Sequence, residues 1–107
     1  MAQYEMKYMF DWGSGTCVWS TNDAARDKYD YPVNIEELPI SSALKEKLDY
    51  IIYKHDEALN WDDPAGDLLW SDEEIEQFKT EAKALYLQLK QELGDEYELE
   101  LWENSLI

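Results

Sequence analysis

The sequence predicts a small α+β domain. It would have a three-stranded sheet, antiparallel or mixed, made of an N-terminal hairpin and a C-terminal strand, packed against two long helices and one short helix. Three observations carry this. Tyr4, Met6, Tyr8, Phe10 and Trp12 alternate with Glu5, Lys7, Met9 and Asp11, the period of two of a half-buried strand. Two later stretches repeat apolar residues at intervals of three and four, as amphipathic helices do. Tyr97, Leu99 and Leu101 then restore the period of two near the other end, with Trp102 on the outer face.

Each element has a local reason. The first strand runs from Tyr4 to Trp12, and Gly13-Ser14-Gly15-Thr16 is a flexible turn into Cys17-Val18-Trp19-Ser20, a short β-prone run, so the pair reads as a hairpin. Asn22 can cap a short helix over 23–29 by accepting from its first free amides, and Tyr31-Pro32 ends it. Two prolines make residues 32–39 a connection, with one helical turn around Ile35 to Leu38. Ser41 or Ser42 caps a helix to about Asn60 whose stripe is Leu44, Leu48, Ile51, Ile52, His55 and Leu59. Residues 61–67 form an acidic loop broken by Pro64 and Gly66. Ser71 and Glu74 form a capping box for the last helix, with Trp70 positioned to staple onto Ile75. Its stripe is Ile75, Phe78, Ala82, Leu85, Leu89 and Leu93, and Gly94 supplies the terminating residue. Whether the last strand lies beside the first or the second stays open.

Charge removes whole classes of partner. The 107 residues hold 25 Asp and Glu against 9 Lys and Arg, a formal charge of −16. A groove for nucleic acid phosphates needs clustered bases, and an anionic membrane surface would repel this chain. Leu, Ile, Val and Phe make up only about a fifth of the residues, near the composition of disordered chains. Five Trp and eight Tyr decide for a folded protein, because a solvated acidic tail has no use for so many large rings. One core fits the length, so a single domain over 1–107 is expected. A lone cysteine, Cys17, and the lack of a continuous apolar leader or spanning run point to the cytoplasm.

Catalytic and metal readings find little support. Zinc needs several His or Cys ligands, and the chain has one of each, so no metal or cofactor is expected. Residues 62–67 lack the alternating acids and terminal Glu of a calcium loop. His55 lies on an apolar stripe and reads as a satisfied core histidine in preference to a general base. Paired carboxylates can be drawn anywhere among 25 acids and so carry no signal. Trp12, Trp19 and Trp70 sit at element ends and read as core or staple residues, whereas Trp61 stands in the acidic loop, where an indole can be half exposed.

The acids are unevenly placed. Residues 1–61 hold 11 acids and 6 bases, while residues 62–107 hold 14 acids and 3 bases. The helix dipole accounts for part of the excess at residues 72–74. The remainder serves either solubility or steering towards a basic partner.

The segments Cys17 to Arg26 and His55 to Pro64, with the Trp70-Ser71 helix start, resemble a recurring group of small acidic bacterial proteins. In size, acidity and absence of a catalytic set the chain is also similar to bacterial immunity proteins of the contact-dependent inhibition and polymorphic toxin type. That resemblance implies a non-enzymatic cytoplasmic protein that binds a cognate toxin, commonly a nuclease, through its active site or substrate surface. The expected contacts are Asp62, Asp63, Asp67, Asp72, Glu73 and Glu76, joined by acids of the last strand, with Trp61 as an anchor. The alternatives are a cytosolic adaptor or regulator whose acidity serves solubility, and a small hydrolase using His55.

Overall fold

The structure, a computed structural model, describes residues 2–63, 66 and 68–102. Its elements are β1 (Tyr4–Tyr8), β2 (Val18–Ser20), α1 (Asp23–Tyr29), one 3-10 turn (Ile35–Glu37), α2 (Ser42–Ala58), α3 (Asp72–Leu93) and β3 (Tyr97–Leu101). The sheet is mixed, in the order β2-β1-β3. β1 pairs antiparallel with β2, Met6 opposite Ser20 and Tyr8 opposite Val18. It pairs in parallel with β3 from Tyr4 opposite Tyr97 to Tyr8 opposite Leu101, which answers the question of where the last strand lies.

The helix ends follow their local chemistry. Asn22, Ser41 and Ser71 accept from the amides of Ala25, Leu44 and Glu74, and Ser71 and Glu74 close the capping box in both directions. Gly94 ends α3 at φ 80°, a conformation costly for a residue with a Cβ, and its N–H returns to the carbonyl of Lys90. α1 stops at Tyr29, before Tyr31-Pro32, because Asp30 turns to φ 66° and its N–H closes onto the Arg26 carbonyl.

The expected ends of β1 and α2 both shift. The ladder of β1 ends at Tyr8, short of Trp12, although burial keeps alternating through a buried Phe10 and a half-buried Trp12. From Met9 onward the backbone groups turn elsewhere. Met9 donates to the Cys17 carbonyl at 2.9 Å and accepts from the Trp19 indole at 2.8 Å, and the Asp11 carbonyl accepts from Ser14. α2 ends at Ala58 because Leu59 is extended and the Ala58 carbonyl accepts from the Leu69 amide of the returning loop. Trp70 packs on Phe78, with ring centroids 5.3 Å apart.

The core lies between the sheet and the long helices. Met6, Tyr8 and Leu99 from the sheet meet Leu44, Leu48, Ile51 and Ile52 of α2 and Phe78, Ala82, Leu89 and Leu93 of α3. Tyr8 is fully buried, and its hydroxyl donates to the Ala82 carbonyl at 2.9 Å. The Tyr86 hydroxyl donates to Leu99 of β3 at 2.7 Å, and the Trp12 indole to the His55 carbonyl at 2.8 Å. Each ring so placed buries its apolar body and still satisfies its polar atom.

Leu48 is fully buried at the centre of this packing. Leu48→Ala should lower unfolding stability by about 2–5 kcal/mol, seen as an earlier urea midpoint at an unchanged slope. A smaller change would show that the core can collapse around the deletion.

Candidate functional site

The loop after α2 is anchored through backbone groups. The Trp61 indole N–H donates to the Asp56 carbonyl at 2.9 Å, and a Cβ on Gly13 would lie 3.6 Å from its Cη2. Gly13 itself has φ 79°, which favours glycine, and its N–H donates to the Asp56 carboxylate at 3.0 Å. The indole is thus held across the hairpin turn with 56% of its surface exposed. Asn60 Oδ1 accepts from the amides of Asp62 and Asp63 at 3.1 and 3.3 Å, an Asx turn that leaves both aspartates exposed.

The remaining acids lie beyond the loop. Asp72, Glu73 and Glu76 are exposed on the first turns of α3, and Glu73 and Glu76 share a shallow depression with Gln77, Thr80 and Glu81. Glu76 also faces Lys79 at 3.7 Å, an exposed pair of small energetic weight. Asp67, like Pro64 and Ala65, lies outside the described residues. The expected residues therefore fall into two groups: Trp61, against the hairpin turn, with Asp62 and Asp63 next to it in the loop, and Asp72, Glu73 and Glu76 on the first turns of α3.

The outer face of the sheet adds to the acidity. Glu5 and Glu98 are opposite one another in the β1–β3 register, both exposed, and Glu100 is opposite Lys7. Lys7 Nζ lies 4.3 Å from the Trp102 ring centroid, a cation–π contact on a ring that is 43% exposed.

Two aromatics exposed on α2 went unread in the sequence. Tyr50 and Tyr53 are 56% and 62% exposed on α2. Their signal was available, since both lie off the apolar stripe of that helix, where a tyrosine has no core to enter.

The titratable groups His55 and Cys17 are buried. His55 is 2% exposed, stacked on Trp12 at 4.5 Å with an interplanar angle of 16° and bordered by Phe10 and Phe78. Its neighbour Asp56 is committed to the Gly13 amide. No buried side-chain nitrogen or oxygen among the described residues lacks a hydrogen-bond partner. Burial pushes the Cys17 thiol far above its usual range, which suppresses the reactive thiolate. Among the described residues, no three His, Cys, Asp or Glu side chains come together as a metal site would need, and no helix is long and apolar enough to cross a membrane.

A sequence model of the family described as Serratia CdiI immunity protein-like matches residues 4–104 of the chain. A search of curated proteins finds no match.

The burial of His55 gives stability a defined pH dependence. Loss of hydration holds the folded imidazole down at about 4, against an ordinary 6.5, with the charges of Asp56 and Asp11 acting in the opposite direction. The unfolded chain therefore takes up a proton at a pH where the folded chain does not. This contribution to stability is complete above pH 6.5 and is lost as pH falls from 6.5 to about 4, on the order of 3 kcal/mol in all. Urea unfolding of wild type and His55→Gln at intervals from pH 7.5 to 4 should show wild type losing stability more steeply. Parallel curves would contradict it.

Proposed function

We propose, from the premise that the chain belongs to the Serratia CdiI immunity protein-like family, that it neutralises a nuclease toxin by covering its basic substrate surface with carboxylates. Neutralising a toxin is what membership of an immunity protein-like family means in general, and a cognate toxin partner comes with it. The nuclease target, the acidic mechanism and the residues concerned are our reading. The observation that carries it is the backbone-held, half-exposed indole of Trp61 with the exposed Asp62 and Asp63 next to it in the loop, in a chain of formal charge −16.

The mechanism follows from what a nuclease must do. It grips phosphates with clustered Lys and Arg, so its substrate surface is an electropositive field before any substrate arrives. A surface carrying Asp62, Asp63, Asp72, Glu73 and Glu76 answers that field and is drawn into it, raising the rate of encounter. Asp67 belongs to the same loop in sequence and shares the proposed role. Trp61 supplies the apolar contact that charge alone lacks, a ring already fixed in position and therefore ordered at little cost on binding. Inhibition of this kind is occlusion: the chain turns nothing over and needs no cofactor. It acts in the cytoplasm, where an incoming nuclease meets its substrate.

The replacement Asp62→Lys with Asp63→Lys reverses two exposed charges and leaves the Asn60 turn, which uses only their backbone amides. The double variant should keep the wild-type circular dichroism spectrum and bind its cognate toxin domain at least about tenfold more weakly, mainly through slower association. Growth protection should fall in parallel. Undiminished binding would place the interface away from this loop.

A further inference from the structure

We infer that the seam between the outer flanks of α2 and α3 receives a basic amphipathic helix of the toxin; this rests on the toxin-binding reading above and names the element bound. The two helices run antiparallel: early α2 residues share a cavity with late α3 residues, and Tyr50 and Lys54 meet Gln77 and Phe78 further along. The cavity measures about 520 Å³ and is bordered by Ala43, Lys47, Tyr50, Ala84 and Leu85. Ala43 and Ala84 reach no further than Cβ, which leaves room for an incoming apolar side chain. Tyr50 stands at the edge with 56% of its surface exposed.

Glu81 joins this groove to the acids. It borders the cavity just described, a smaller one of about 120 Å³ beside Tyr50, Lys54 and Phe78, and a shallow one of about 430 Å³ holding Glu73 and Glu76. An apolar floor thus passes directly into an acidic trough. At 1.5 Å per residue, Glu73 to Glu81 spans about 12 Å, roughly two turns of a helix lying alongside.

Charge selects the occupant. A second copy of this chain would set −16 against −16, and the two lysines in the seam, Lys47 and Lys54, are outnumbered by Glu46, Glu73, Glu74, Glu76 and Glu81. The groove between two antiparallel helices accepts a third by ridge-into-groove packing, with anchors at i, i+3, i+4 and i+7. A partner helix with apolar residues on that stripe and Lys or Arg beside it satisfies floor and trough together.

The test uses the intact chain and, as probe, its purified cognate toxin domain. Wild type should bind it. Ala84→Arg fills the floor from an exposed position, and Glu81→Lys reverses the shared acid; each should weaken binding at least tenfold with the circular dichroism spectrum retained. Methyl NMR of the wild-type complex, which needs no variant, should shift the signals of Ala43, Ala84 and Leu85. Wild-type binding with unmoved methyls and unweakened variants would overturn the groove and leave the toxin-binding reading standing. Failure of wild type to bind would overturn both.

Discussion

The parallel pairing of β1 with β3 is the constraint from which the rest of the molecule follows. It lays the first strand beside the last, so both long helices must fit within a single crossover between them. With β2 on its other edge, β1 is central and its inward residues Met6 and Tyr8 become the floor of the core. α2 and α3 bury their stripes on that face of the sheet. Their opposite flanks, and Glu5, Glu98 and Glu100 on the outer face of the sheet, are left to water.

Aromatic residues make such a core possible with few aliphatics. Tyr8, Trp12, Trp19 and Tyr86 each place a ring in or beside the core and give their polar hydrogen to a backbone carbonyl on another segment. They therefore stitch elements together while burying area, work that leucine cannot do. Tyr29 and Tyr97 add a hydroxyl-to-hydroxyl bond of 2.6 Å between α1 and β3. This cohesion has to hold against considerable self-repulsion, seen at the level of single residues where Glu5 and Glu98 are neighbours across the sheet.

What could be read in the sequence was what is determined locally. Asn22, Ser41 and Ser71 cap their helices because a side-chain oxygen two or three residues from a free amide needs no help from the tertiary structure. Trp61 could be read as half exposed from its acidic, Pro- and Gly-broken surroundings. The strand order and the end of β1 could not, since both depend on contacts far apart in sequence: Tyr4 with Tyr97, Trp12 with His55. For the same reason the expected contact residues appear as two groups, and the seam beside Tyr50 is invisible until α2 and α3 are set side by side.

The anchoring of Trp61 has one more consequence. The ring is held by a main-chain carbonyl, that of Asp56, and by the bare backbone of Gly13, while Asp62 and Asp63 are turned outward through their amides alone. Side chains at positions 62 and 63 can therefore be exchanged without disturbing the indole. A lineage under pressure to meet a changing adversary could rewrite the charges around a stationary landmark, altering whom the surface greets while the geometry of the greeting stays the same.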